Sequence, residues 1–254
     1  MYVTLEPCNH YGKTPPCSIA ILNSNIKRVV IGMLDVNKTA SGGAEFLKSH
    51  GIEVVSGILE KECRDLNKIF ITNITKQRPF YAMKAAMLLN GCISIKGGIS
   101  KYITSKKSLE YVHKLRSTYN GVLVGINTVL MDDPLLNCRL KRCGQPKRIV
   151  LDAFLKIPLS ARIFGFEPQN IYIATSVSSD SNKKSILKSM GVNILECAST
   201  PEGIDLFDLS KKLLEKDICS ILVEGGSRIH GSFLNANLYD KVHLFYAPKI
   251  TGSY

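Results

Sequence analysis

Short apolar runs rich in β-branched residues alternate with segments of helical period along the whole chain. The runs are "YVTL", "RVVIGM", "IEVVSG", "FYAMKAAM", "GVLVG", "RIVLDA", "NIYIATS", "VNILEC", "SILVEGG" and "KVHLFYAPKI". Bounded by Gly, Asn, Asp or Pro, such runs read as strands. Between many of them apolar residues recur at three- and four-residue spacing, which predicts helices over 16–25, 43–50, 59–74, 105–117, 182–190, 206–216 and 227–238. Strand and helix in repetition predict an α/β protein whose sheets are largely parallel and covered by helices. After the third helical stretch the chain reads "TKQRPF"; Pro79 stops the pattern and a new strand begins. A boundary is expected there, between a part of residues 1–77 and a part of residues 78–254.

Composition narrows the class without choosing a function. With 254 residues, 45% of them hydrophobic, the chain can build a sizeable core without covalent staples. No apolar run reaches the roughly 18 residues of a membrane span, and too few residues precede the first strand for a signal peptide. Eight cysteines in such a chain predict reduced thiols and a cytoplasmic protein. The net charge of +12 raises a nucleic-acid partner as a rival reading. Against it, aromatics are sparse at 7% and the basic residues are scattered, the densest cluster being "RLKRCGQPKR" from Arg139 to Arg148. A solvated basic surface, or a field drawing in a small anionic substrate, accounts for the charge as well.

Two stretches carry candidate chemistry. The first is "EPCNHYGKTPPC", in which eight residues separate Cys8 from Cys17. Thiolates are zinc ligands, and a strand-to-helix turn offers backbone N–H groups that favour the deprotonated thiol. Equally, both cysteines could be small buried apolar residues. His10 lies too near Cys8 to share a metal comfortably, and Glu6 before proline reads as structural rather than as a proton shuttle. The second is a set of glycine-rich strand ends. In "SILVEGGSRIHGSF" a strand runs into Glu224-Gly225-Gly226 and a helix opens at Ser227, an arrangement that can admit a pyrophosphate or can simply be a tight turn. "GVLVGINTVLMDDPLLNCR" repeats the theme; its Asp132-Asp133-Pro134 reads as a helix-ending turn or as paired carboxylates for acid/base work.

Taken together these motifs resemble the bifunctional riboflavin-biosynthesis deaminase/reductase family. "TLEPCNHYGKTPPC" is similar to its zinc segment, while "HKLRS", "VLVGINTVLMDDPLLNCR", "QPKRIVLDA", "LVEGGSRIHGSFL" and "YAPKITG" are similar to its reductase half. The resemblance implies a truncated cytidine-deaminase-like αβα domain followed by a dihydrofolate-reductase-like α/β domain. It implies zinc on Cys8 and Cys17 in the intact protein. The His-x-Glu pair of the family lies upstream of the first thiol, so the chain is expected to be a fragment with an inactive deaminase, short also of a last strand. For the reductase the resemblance implies NADPH and a pyrimidine ribosyl phosphate, with reduction of ribosyl to ribityl. Ser100, Arg116, Leu136, Arg139 and Glu224 then match substrate positions. Ala86, Tyr102, Thr128, Asp132 and the run Gly226, Ser227, Arg228, Ile229, His230, Gly231 and Ser232 match cofactor positions. Lys84 is the candidate catalytic residue. The chain departs from the family at Asn90 and Ile99, which replace acidic residues. A homo-oligomer without nucleic-acid or membrane partners is expected, and a non-catalytic remnant is the remaining alternative.

Overall fold

The computed structural model describes residues 1–93, 104–201 and 203–250. They form two compact units, Met1–Gln77 and Arg78–Tyr254. In the first, β1 (Tyr2–Leu5), α1 (Cys17–Leu22), β2 (Arg28–Met33), α2 (Gly43–Ser49) and β3 (Glu53–Ser56) are followed by α3 (Glu60–Leu66) and α4 (Lys68–Lys76). The strands form a parallel sheet in the order β1-β2-β3. Ile21, Val29, Ile31, Ala44, Leu47 and Ile52 make its core. Glu6 is buried, and its carboxylate accepts from the backbone N–H groups of Asp35 (2.9 Å), Gly42 (3.1 Å) and Ala44 (2.9 Å). That is a structural role, since every donor is a loop or helix-start amide of this unit. The single helix expected over 59–74 is instead two. The division falls at Asn67, whose backbone N–H and side-chain amide both donate to the Cys63 carbonyl, at 3.0 and 2.8 Å.

The second unit begins with β4 (Phe80–Leu88), α5 (Lys106–Thr118), β5 (Gly121–Gly125), α6 (Ile126–Asp132), β6 (Lys147–Leu151) and β7 (Ile171–Ser176). It continues with α7 (Ser181–Ser189), β8 (Asn193–Cys197), the two short strands β9 (Ser199–Thr200) and β10 (Gly203–Ile204), and α8 (Leu206–Leu214). It closes with β11 (Ser220–Val223), α9 (Ser227–Asn235) and β12 (Tyr239–Ala247). Seven strands pair in the order β12-β4-β11-β5-β6-β7-β8, every neighbour parallel. β5 and β11 are buried along their whole length, which is why they read as continuous apolar runs. Ser105, Asp180 and Asp205 cap α5, α7 and α8 by accepting from first-turn amides. β9 and β10 are too short to leave a periodic signal.

The strand order positions the site. β11 inserts between β4 and β5, so Met83, Val223 and Leu123 lie side by side. There β11 stops, while β4 runs on to Leu88 beside β12 alone. Glu224 follows immediately at the carboxyl end of β11, where open α/β sheets gather ligands, and Lys84 is the β4 residue just past the point where β11 stops. At the opposite end a buried pair anchors β12 to the start of β4. Asp240 accepts from Arg78 through both oxygens (2.6 and 2.9 Å) and from the Tyr81 amide at 3.0 Å. Among the described residues no helix is long and apolar enough to cross a membrane.

Candidate functional site

Glu224 is the first residue beyond β11, and its carboxylate meets Arg116 in the last turn of α5. Nε donates to Oε1 at 2.7 Å and a second guanidinium nitrogen donates to Oε2 at 2.9 Å, a two-pronged pair. The side chains are 13% and 7% exposed, so the pair is largely removed from solvent. Arg116 also donates to the Asn137 carbonyl at 3.1 Å. Burial pushes the Glu224 carboxyl upward, but the charge and hydrogen bonds of Arg116, with Lys84 and His113 further off, outweigh it and hold it below its ordinary value. Lys84, on β4, therefore faces the same pair. Arg116 was expected to grip a phosphate and Glu224 a pyrimidine; in this structure each is turned to the other.

Arg139 lies in the loop after α6, next to that pair. Its backbone N–H donates to His113 Nδ1 at 3.3 Å. His113 stands one turn before Arg116 on α5, and burial followed by the charges of Arg116 and Arg139 lowers its pKa. The Arg139 side chain is exposed. Around it the loop is tightly determined. Leu136 is buried with φ of 53°, in the left-handed region. Gln145 bonds both backbone groups of Cys138. Cys138 and Cys143 are joined by a disulfide, contrary to the expectation of reduced thiols; with Leu136 and Arg142 both left-handed, the loop folds back and brings the two residues together. Cys8, Cys17, Cys63, Cys92 and Cys197 are free thiols. Asp133 is a turn residue, left-handed at 42°, whose carboxylate accepts from the Arg162 amide at 2.8 Å. Asp132 ends α6 in an exposed position, one turn after Thr128 on the same helix, so the two share a face.

The start of α9 supplies a different kind of surface. Its first residues carry no side-chain cap, leaving N–H donors free, and Gly226, Ser227 and Arg228 are exposed. A side chain at Gly226 would meet nothing within 4 Å, so the backbone there is open to an approaching group. Gly225 is different: a Cβ would lie 2.8 Å from Ile229, and one on Gly125 would lie 2.7 Å from the same residue. Ile229 thus packs into the two strand ends rather than facing outward. His230 is buried, bonding the Tyr239 hydroxyl at 2.7 Å and the Lys84 backbone. Gly231 and Ser232 are half-buried, as is Ala86, two residues beyond Lys84 on the same face of β4. Of the residues expected to contact cofactor, Gly226, Ser227 and Arg228 form the open, exposed start of α9, and Ile229 and His230 pack behind them. Ser100 and Tyr102 lie outside the described residues.

The structure also brings Cys8 and Cys17 together: the Cys17 amide donates to Cys8 Sγ at 3.4 Å. Neither is a buried core residue, Cys8 being half-buried and Cys17 exposed. The hydrogen bond with Cys8, then burial and the charge of Cys8, push the Cys17 thiol up, the reverse of the thiolate-favouring setting expected. Among the described residues no three His, Cys, Asp or Glu side chains gather as a metal-binding group. Two thiols are half a tetrahedral set, and on their own they do not fit zinc. Arg148 is buried, donating to the carbonyls of Ile163, Phe166 and Glu167, and Lys147 donates to Asn170 at 2.5 Å.

Sequence reasoning missed His113, Asn137 and Gln145. His113 carried one signal, its place three residues before Arg116 on one helix face. Asn137 and Gln145 carried none.

Comparison with known proteins bears on both units. Residues 79–253 match the RibD C-terminal domain family. The riboflavin biosynthesis protein RibD of Aquifex aeolicus is 44% identical over 99% of this chain and 70% of its own length. Among solved structures, RibD of Acinetobacter baumannii superposes with a TM-score of 0.86 at 33% identity, covering 99% of this chain and 69% of its own. The diaminohydroxyphosphoribosylaminopyrimidine deaminase/5-amino-6-(5-phosphoribosylamino)uracil reductase of Thermotoga maritima superposes at 0.83 with 40% identity, over 99% and 68%.

Proposed function

The chain belongs to the RibD family of riboflavin-biosynthesis proteins, and on that premise we propose that its second unit reduces the ribosyl group of 5-amino-6-(5-phosphoribosylamino)uracil to ribityl with NADPH. The observation that carries this reading is the convergence at the ends of β11 and β5, beside the middle of β4. A buried Arg116–Glu224 pair, Lys84 and an exposed Arg139 stand there. The open start of α9 follows two residues after Glu224.

NADPH, when bound, supplies a hydride. The amides of Gly226, Ser227 and Arg228 would hold its diphosphate, as an uncapped helix start with an unobstructed glycine does. Hydride delivery to the anomeric carbon breaks its bond to the ring oxygen, and that oxygen must gain a proton. Lys84 is the group that gives it or stabilises its charge. Arg139 takes the phosphate, its guanidinium free to reach outward. The Arg116–Glu224 pair orients the base: Glu224 keeps its charge at neutral pH because Arg116 offsets its burial, and the pair presents both a carboxylate edge and guanidinium N–H groups. Leu136 packs beneath the sugar. The experiment is NADPH oxidation with this substrate. The wild type turns over, and Arg139→Ala raises KM about 10- to 100-fold while leaving kcat within a few-fold, the size of one charge-assisted contact. Wild-type silence contradicts the reading.

The first unit, in this reading, is the C-terminal portion of a zinc deaminase domain. Cys8 and Cys17, which lie side by side, are two of the ligands such a site uses.

A further inference from the structure

The two peptide groups leading into Arg139 make no sheet or helix, yet all four of their polar atoms are taken by side chains. In the peptide between Asn137 and Cys138, the carbonyl accepts from Arg116 at 3.1 Å and the N–H donates to Gln145 Oε1 at 3.0 Å. In the peptide between Cys138 and Arg139, the carbonyl accepts from Gln145 Nε2 at 2.9 Å and the N–H donates to His113 Nδ1 at 3.3 Å. Each peptide plane is held at both edges. Gln145 imitates a neighbouring strand, and His113 must present an unprotonated Nδ1, consistent with its position beside Arg116 and Arg139. The left-handed Leu136 before them and the disulfide from Cys138 to Cys143 close the same loop. All of this fixes the Cα of a residue whose side chain is exposed. A leucine held in the left-handed region costs free energy that its surroundings must offset, and such strain gathers at functional sites.

We propose that Gln145 and His113 are positioning residues for Arg139, holding its backbone so that the guanidinium meets a sugar phosphate without first being ordered. This rests on the reading of Arg139 as the phosphate-binding group. Preorganisation removes the ordering cost from binding, so loss of the clamp weakens the phosphate contact and leaves sugar recognition and the chemical step alone.

The test is titration calorimetry of the full chain with ribose 5-phosphate and with ribose, beside steady-state reduction of the phosphoribosyl substrate. Gln145→Met keeps the shape and removes both bonds. It is expected to weaken ribose 5-phosphate about tenfold and to raise KM by the same factor, with kcat within about twofold. His113→Leu acts in the same direction, and His113→Asn, whose Oδ1 can accept from the Arg139 amide, restores wild-type binding. In an Arg139→Ala background neither loss variant weakens binding further. Wild-type binding by Gln145→Met and His113→Leu, equal weakening toward ribose, or full additivity with Arg139→Ala overturns the proposal. So does a wild type that binds ribose 5-phosphate no better than ribose. If Gln145→Met fails to fold, the His113 variants decide alone. A wild type that shows the binding pattern but no NADPH oxidation sinks the proposed reaction and leaves the clamp standing. Turnover without the pattern does the opposite.

Discussion

The Arg116–Glu224 pair joins residues 108 positions apart, and it sets the electrostatics of everything around it. Removing one partner leaves a buried charge unpaired, so Glu224→Ala should cost about 3–5 kcal/mol of stability in urea titrations. Its pH dependence has a definite sign. The folded carboxyl sits below its ordinary 4.5, so the unfolded chain binds the proton more readily, and the pair's stabilisation is complete above 4.5 and lost as pH falls below it. His230 acts in a higher window. Burial and then the charge of Lys84 lower its pKa from 6.5, so stability is fully present above 6.5 and declines as pH drops beneath it. Unfolding free energy against pH should therefore fall in two steps, and Glu224→Gln should remove the lower one. Persistence of both steps in that variant would refute the assignment. The motifs made Arg116, Arg139 and Glu224 legible as site residues. That two of them bond each other was not legible, because an ion pair between a helix end and a distant strand end exists only in three dimensions.

Helix α9 shows how packing and ligand access divide between adjacent glycines. Ile229 fills the notch at Gly125 and Gly225, so Gly225→Ala forces a contact at 2.8 Å while Gly226→Ala meets nothing. The expectation is that Gly225→Ala lowers the melting temperature by several degrees, as overpacking of about 1–3 kcal/mol does. Gly226→Ala leaves melting unchanged yet weakens NADPH binding by crowding the amides. The companion change Ile229→Ala should recover part of the Gly225→Ala loss; melting temperatures and NADPH titrations of the four proteins check this. At the other end of the sheet, Asp240→Ala removes the carboxylate that pairs with the buried Arg78 and should destabilise by about 3–5 kcal/mol. The strands and most helices of this unit could be read from the apolar periods because continuous burial leaves a continuous signal. The break at Asn67 could not, since the apolar period runs on through it.

Across the chain, an alternating pattern of strand and helix was enough to predict parallel sheets, and it was silent on strand order. That β11 lies between β4 and β5 is what carries Glu224 to Lys84 and Arg116, and no local signal encodes it. The disulfide at Cys138 was hidden for a related reason, since composition argues about a compartment and a loop's own geometry decides a bond. The net charge of +12 proved a weak guide: in its densest cluster Arg148 is buried and serves the fold while Arg139 is exposed. If the reduction belongs wholly to the second unit, Cys8→Ser and treatment with a chelator should leave NADPH oxidation unchanged within about twofold, and a larger loss in either would tie the thiols to the reaction. The most direct test of the central claim follows the hydride itself. The chain is supplied with NADPH deuterated at the transferred position and with 5-amino-6-(5-phosphoribosylamino)uracil, and the product is examined by mass spectrometry and NMR. One deuterium on the former anomeric carbon of a ribityl product is the predicted result; recovery of unreduced substrate, or a ribityl product without that label, would contradict it.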